Sequence, residues 1–263
     1  MGGIGLYIKL VGASLRSQMQ YRASFAIMTL GNLLTSLTDF VVIWALFARF
    51  AAVRGWTLYE VSVIYGMGHM AFALCELFMR EFDMFNRHVR TGEFDRMLLR
   101  PRSTVLQMLG AQIQLIRLGR FMQGAAVFCF GVLNLAYTWT SFEWALVVFS
   151  VLSGALLFAG VIVLQATSCF WIVESLEVWN SITYGGITAA QYPLTLYQKP
   201  IRYLFTFVIP LAIMGYWPCS ILLRKAYAPP VLAALSPLLG AGFFGLSLLV
   251  WKAGVRHYTS TGS

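Results

Sequence analysis

The chain has 263 residues, of which 59% are hydrophobic and only 11% are charged, and its mean hydropathy is +0.73. About a quarter of the residues of a soluble globular protein are charged, so this composition excludes an ordinary soluble domain and predicts an all-α integral membrane protein. The net charge of +9 is spread beside apolar segments instead of along one stripe, so we expect membrane lipid around the chain and no nucleic acid.

The predicted elements form one membrane domain over residues 1–263. Apolar side chains at helical spacing predict a helix along the membrane interface at 1–22. Sufficiently long apolar runs predict spans at about 23–48, 57–79, 119–136, 144–171 and 233–252. The helical pattern between 104 and 136 is unbroken and roughly 48 Å long, more than a ~30 Å hydrocarbon core. We therefore expect its first half to project from the membrane or to lie against protein.

Residues 173–225 contain a further span, for which the residues leave two alternatives. The segment 174–195 is moderately apolar, whereas 201–225 is more apolar but is interrupted by Pro210 and Pro218. Proline breaks the hydrogen bonding of a straight helix. The apolar content therefore favours 201–225 as the span, whereas the need for an uninterrupted helix favours 174–195.

The distribution of basic residues predicts the orientation, because cytoplasmic loops of membrane proteins carry the excess of Lys and Arg. With the amino end inside, eleven basic residues lie inside and four lie clearly outside. We therefore predict that both termini and the segment 80–103 are cytoplasmic and that the number of spans is even.

A dense cluster of mixed charge, "RHVRTGEFDRMLLRPRS", follows the second predicted span. Gly92 divides it into two short helical pieces, of which the second has acids in its first turn and Arg100 at its end, as the helix dipole favours. Pro101 ends the second piece. Pieces this short are unstable alone, so we expect a docking partner. The alternative is a solvated loop that only fixes topology.

Three segments resemble the permeases of type-2 ATP-binding-cassette (ABC) transporters, and among these a branch of small bacterial six-span export permeases. The segments are "RTGEFDRMLLRP", "QYPLTLYQKPIRYLFTFVIPLAIMGYWP" and "YTSTG". In that family the segment between spans two and three is similar to a coupling helix, which sits in a cleft of the ATP-binding subunit. Carried over to this sequence, the contact comprises Arg90, Gly92, Glu93, Phe94, Asp95, Arg96, Leu99, Arg100 and Pro101.

The resemblance implies export of an amphipathic, lipid-like, drug or peptide substrate across the bacterial cytoplasmic (inner) membrane. It also implies two ATP-binding subunits and a second permease, identical or related, and it places a re-entrant hairpin at 199–225 after a fifth span at 174–195. No lysine of the chain stands in a Gly-Lys-Ser/Thr sequence, which a phosphate-binding loop needs. We therefore expect no enzymatic activity and no cofactor in this chain, with ATP and Mg²⁺ used by the partner subunit.

Ionisable residues at membrane depth often mark function, and here they are Asp39, His69 and Glu76. We interpret them as lining either a substrate path or a seam between helices, with Glu76 paired locally to Arg80, four residues on. A secondary transporter or channel using them as a proton relay is the alternative function. We expect no metal site at His69, because no other histidine is within helical reach.

An intramembrane serine hydrolase is a third class of function. Ser153 precedes a glycine, but no glycine stands two residues before it, as the nucleophile turn of such enzymes requires. The sequence therefore does not support a hydrolase.

Overall fold

The computed structural model describes residues 22–172, 176–225 and 229–259, together with 5, 11–13, 16–18 and 20. Most of the predicted interfacial helix at 1–22 therefore lies outside the described residues. Within the described part the chain is helical, without strands, and its only extended pairing is an isolated bridge between Val53 and Trp56. The prediction of an all-α membrane protein is confirmed.

Eleven α-helices are described, of which five are long and apolar enough to cross a membrane. The five are α1 (Arg22–Arg49), α2 (Leu58–Asp83), α6 (Leu118–Leu133), α7 (Ser141–Ser168) and α11 (Pro230–His257). Helix α6 reaches this length together with the preceding 3₁₀ turn Leu115–Arg117, and the apolar segment of α2 continues to Arg90. The shorter helices are α3 (Phe85–Arg90), α4 (Glu93–Leu98), α5 (Thr104–Ala111), α8 (Leu176–Ala190), α9 (Lys199–Tyr203) and α10 (Tyr216–Leu222). Five of the predicted spans thus correspond to long helices.

Two of the long helices begin with the same capping arrangement. The backbone N–H of Thr57 donates to the Glu60 carboxylate at 2.9 Å, and the backbone N–H of Thr140 donates to the Glu143 carboxylate at 2.6 Å. Each threonine hydroxyl in turn accepts from the backbone N–H of its glutamate. These contacts satisfy amide groups that would otherwise lack partners at the start of α2 and α7.

Helix α2 lies at the centre of the fold, between α6 on one side and α7 on the other, and α7 in turn packs against α11. Small residues allow these close approaches. A Cβ on Gly66 would lie 2.5 Å from Phe128 of α6, and one on Gly240 would lie 2.2 Å from the Ser153 carbonyl oxygen of α7. Close packing of this kind holds helices together within a bilayer, where the hydrophobic effect between helices is weak.

We predict that Gly240→Ala destabilises the folded chain, because the added methyl group overlaps the α7 backbone and forces α11 away. Overpacking of this kind costs about 1–3 kcal/mol. Gly242→Ala is the matched control, since a Cβ there meets no atom within 4 Å. Thermal aggregation in detergent, followed by size-exclusion chromatography, is expected to begin at a lower temperature for Gly240→Ala alone. Equal behaviour of the two variants would contradict the contact.

The prediction of one continuous helix from 104 to 136 is wrong. Helix α5 ends at Ala111, Gln112 is extended, and a 3₁₀ turn at Leu115–Arg117 leads into α6. The break is stabilised from outside the helix, because the N–H of Gln114 donates to the Leu77 carbonyl at 3.0 Å and the Gln18 side chain accepts from the N–H of Leu115 at 3.1 Å. Tertiary hydrogen bonds therefore replace those that a continuous helix would make.

Residues 199–222 do not form a straight span. The segments Lys199–Val208 and Leu211–Leu222 are bent by 80° about Ile209 and Pro210, a bend that the predicted re-entrant hairpin requires. Helix α8 has 15 residues and is about 22 Å long, shorter than a ~30 Å core. The assignment of the fifth span to 174–195 therefore stays a prediction.

Candidate functional site

The charged cluster folds as the two short helices that the sequence predicts, α3 and α4, joined at Thr91 and Gly92. Gly92 has a φ of 66°, in the left-handed region that side chains other than glycine rarely adopt. This residue reverses the chain between the two helices. We call residues 85–103 the charged loop.

The underside of the charged loop is fixed by aromatic rings from the loop itself and from two distant parts of the chain. Phe94 is fully buried, and its ring centroid lies 4.9 Å from Phe85, 5.6 Å from Phe170 and 5.1 Å from Tyr258. Trp251, in the last turns of α11, is 6.0 Å away. These five residues, which we call the ring cluster, bind the loop to the ends of α7 and α11.

The burial of Phe94 corrects its predicted role. Phe94 is among the residues predicted to contact the ATP-binding subunit, but its ring is fully buried and faces the interior of its own chain. An amphipathic loop buries its aromatic residue wherever the fold supplies a surface, and here the ends of α7 and α11 supply it.

The outer face of the charged loop carries the other predicted contact residues. Arg90, Arg96, Arg100 and Pro101 are exposed, and Leu99 is 86% exposed. Gly92, Glu93 and Asp95 are half-buried at the edge of this face. The outer face is therefore an apolar leucine surrounded by arginines, which complements an acidic surface with an apolar pocket.

His88, which sequence reasoning did not single out, joins the loop to the end of α2. Its Nε2 lies 2.5 Å from Glu81 and its Nδ1 lies 2.8 Å from Glu93. The hydrogen bond to Glu81 raises the pKa of His88, burial lowers it, and Glu93 adds a further increase, so that the pKa lies above its ordinary value. The segment of α3 lies outside the span, because so many charges do not fit a hydrocarbon core. When it is protonated, the imidazole donates to two carboxylates on different helices.

We predict that the charged loop loosens as the pH rises through the raised pKa of His88. A group whose pKa is raised on folding stabilises the fold fully below its unfolded value of about 6.5 and loses that contribution above its folded value. Trypsin cleavage after the loop arginines, normalised to an unstructured peptide, is expected to accelerate over that interval. His88→Gln is expected to be cleaved faster and without this pH step. The same pH profile for both proteins would contradict this role of His88.

A polar seam crosses the interface between α2 and α6. Glu76 is buried and lies 2.6 Å from Arg120 and 3.3 Å from Arg117. The predicted local pair of Glu76 with Arg80 is wrong, because Arg80 instead pairs with Asp83 at 3.0 Å. The sequence contains a signal for this network. Two arginines stand at the beginning of one apolar span, at the same depth as a glutamate on another span.

The seam continues through His69 and Tyr65. The two rings stack with centroids 4.0 Å apart, and His69 Nε2 is 3.2 Å from the Gln191 amide nitrogen. The Tyr65 hydroxyl donates to the Ser36 carbonyl at 3.1 Å and accepts from Gln123 at 3.0 Å. His69 and Glu76 thus contact residues of other helices, whereas Asp39 is exposed on α1.

The comparisons with known proteins point to one family. The family model described as ABC-2 family transporter protein matches residues 33–262. No curated protein and no solved structure matches this chain significantly.

Proposed function

Since the match covers most of its length, the chain belongs to the ABC-2 transporter family, and we propose that it is the membrane-spanning permease of an ATP-driven exporter. The ATP-binding subunit is a separate chain that binds ATP and Mg²⁺, while this chain supplies the membrane path. The observation that carries the proposal is the charged loop, whose outer face is open and whose underside is fixed to the membrane helices.

The charged loop has the construction that a mechanical link needs. Its outer face offers Leu99 within a rim of arginines, and its inner face is bound to α7 and α11 through the ring cluster and to α2 through His88. A movement of the loop is therefore transmitted to the ends of three long helices at once, because packed aromatic contacts resist deformation. A loop that only fixed topology would not need such attachments.

The proposed assembly contains two ATP-binding subunits and a second permease, identical or related. The charged loop and both termini face the cytosol of a bacterial cell, in the orientation that the loop charges favour. The opposite end, where Lys225 pairs with Glu60 at 2.9 Å, then faces outward. The ATP-binding subunits dock on the loops of the two permeases.

The proposed substrates are amphipathic molecules such as lipid-like compounds, drugs or peptides. Support comes from a groove between α7 and α11 that opens beside the span and has an almost wholly apolar lining. Phe142, Phe149, Leu152 and Leu238 are among its lining residues. Molecules with acyl chains or aromatic rings partition into such grooves.

A proton-driven transporter has less support. A relay needs acidic groups that are open to exchange, but Glu76 is held between two arginines and His69 lies against Gln191. These contacts use the two residues as links between helices. The contacts of Glu76 and His69 therefore fit an ATP-driven permease better than a proton relay.

The function is tested by purifying the tagged permease from native membranes and identifying the chains that accompany it. We expect an ABC ATP-binding subunit in equimolar or greater amount. In liposomes, the complex is expected to hydrolyse ATP and to accumulate a fluorescent amphipathic dye only when ATP is present. Dye movement driven by a proton gradient without ATP would contradict the proposal.

A further inference from the structure

A pocket opens at the end of the molecule opposite the charged loop, where α6 ends and α7 begins. One side of this pocket is apolar and includes Leu133, whereas the other side carries Tyr137, Trp139, Trp144 and Arg224. Its volume of about 700 Å³ is within the range of small-molecule binding sites. We call it the outer pocket.

Arg224 of the outer pocket has an unusual backbone conformation. It follows the last turn of α10, and its φ of 54° lies in the left-handed region. The N–H of Lys225 donates to the Ser220 carbonyl at 2.9 Å, and the N–H of Arg224 donates to the Ile221 carbonyl at 3.1 Å. Helices that end with this pair of hydrogen bonds usually have glycine in the left-handed position, because a side chain is strained there. An arginine in that position favours a role for its side chain.

The side chain of Arg224 presents a positive charge at the outer pocket. It is exposed, and its Cζ lies 4.8 Å from the centroid of the Tyr137 ring. Two acids act on this region, but Glu60 is ion-paired with a lysine and Glu143 caps the start of α7. Within the part of the chain that the structure describes, no carboxylate lies within ion-pair distance of Arg224.

The hydroxyl group of Tyr137 is a second group without a partner. It is buried and forms no hydrogen bond among the described residues, and burial raises the pKa of Tyr137, so that the hydroxyl stays protonated. A buried hydroxyl that lacks an acceptor is unfavourable. An oxygen-rich anion that is attracted by the guanidinium above the Tyr137 ring supplies such an acceptor.

The indole rings form a fixed wall of the outer pocket. Trp139 Nε1 donates to the Leu222 carbonyl at 3.0 Å, and the Trp139 ring packs edge-on against Trp144 with centroids 5.2 Å apart. Trp144 is itself exposed. Exposed indole rings favour the region where lipid headgroups meet acyl chains.

The apolar side of the outer pocket leads along α6. Leu133 is 83% exposed, and Phe130, which is also exposed, lies one turn earlier on the same face of the helix. A ligand that fits the whole surface therefore has an anionic head at Arg224 and an apolar body beside α6. Phosphate oxygens accept hydrogen bonds from both arginine and tyrosine, and basic pockets beside membrane helices bind lipid headgroups.

We propose that the outer pocket binds the phosphate headgroup of an anionic phospholipid from the surrounding membrane. Arg224 is the charged contact, Tyr137 donates a hydrogen bond, and an acyl chain lies along Leu133 and Phe130. The site is distant from the charged loop and does not depend on the ATP-binding subunit, so the proposal goes beyond the proposed function.

The test is native mass spectrometry of the purified, delipidated permease, titrated with phosphatidylglycerol or with zwitterionic phosphatidylcholine. We expect the unmodified chain to bind phosphatidylglycerol about tenfold more tightly, because no choline group offsets the charge of its phosphate. Arg224→Gly is expected to abolish this preference. Since glycine suits the left-handed backbone, we expect the variant to aggregate on heating at the same temperature as the unmodified chain or at a higher one. Tyr137→Phe is expected to bind phosphatidylglycerol about threefold more weakly.

Arg54→Gly is the matched control. Arg54 is also an exposed arginine with a positive φ, 49°, at the same end of the molecule, but it lies outside the pocket, so we expect its variant to keep the preference. An unchanged preference in Arg224→Gly, or an equal loss in Arg54→Gly, would overturn the proposal. Displacement of the bound lipid by excess inorganic phosphate would also overturn it, because the site would then recognise a free anion.

Discussion

Glu76→Ala is expected to remove most of the folded chain from the membrane. The substitution leaves Arg117 and Arg120 together in a seam where, among the described residues, Glu76 is the acidic group within ion-pair distance of both. Removing one partner of a buried ion pair costs about 3–5 kcal/mol, because the remaining charges stay desolvated. Such a loss exceeds half of the stability of many proteins.

The measurement is the fraction of monodisperse protein in detergent, quantified with a fluorescent fusion. Arg96→Ala is the control, since it breaks an exposed pair of 3.8 Å with Glu93, and exposed pairs contribute about 0–1 kcal/mol. The double variant Glu76→Leu with Arg120→Leu is expected to recover part of the yield. Wild-type yield for Glu76→Ala would show that the seam is solvated.

Phe94→Ala is expected to separate ATP hydrolysis from transport. The ring is fully buried in the ring cluster, and deleting a buried phenylalanine costs about 3–5 kcal/mol. Because that cost falls on the contact between the charged loop and the ends of α7 and α11, we expect the loop to loosen while the spans stay inserted. The outer face with Leu99 remains, so an ATP-binding subunit still binds but no longer moves the helices.

Hydrogen exchange of residues 85–103 and the ratio of dye transported to ATP hydrolysed measure this effect. We expect faster exchange in the loop and at least a tenfold lower ratio. Phe207→Ala, at a phenylalanine that is 73% exposed, is the control for loss of an aromatic side chain. An unchanged ratio in Phe94→Ala would mean that force passes through another contact.

Local patterns in the sequence predicted the elements well. Five spans were located within a few residues because long apolar runs determine them, and the turn at Gly92 followed from glycine between two short helical patterns. The helix break at Gln112 was missed, since its hydrogen bonds come from Leu77 and Gln18. Nothing in the local pattern records those partners.

The interior contacts of the candidate site were less accessible to sequence reasoning. The sequence pattern places Phe94 on the apolar side of a surface helix. Its ring contacts with Phe170, Trp251 and Tyr258, which are far away in sequence, show that it is internal. His88 binds glutamates that lie on two other helices, so no helical spacing relates the three. The role predicted for exposed residues such as Leu99 and Arg96 stays a prediction, because it depends on a partner outside the chain.

The central claim is that the outer face of the charged loop binds the ATP-binding subunit, and Leu99→Asp tests it most directly. Leu99 is 86% exposed, so the substitution leaves the fold of the permease intact. Leu133→Asp is the matched control, because Leu133 is 83% exposed at the opposite end of the molecule. The measurement is the amount of ATP-binding subunit that co-purifies with each variant. We expect Leu99→Asp to retain less than a tenth of the wild-type amount, since a carboxylate without a partner at the centre of an interface costs at least about 2 kcal/mol. Leu133→Asp is expected to retain the wild-type amount, and wild-type co-purification of Leu99→Asp would contradict the account.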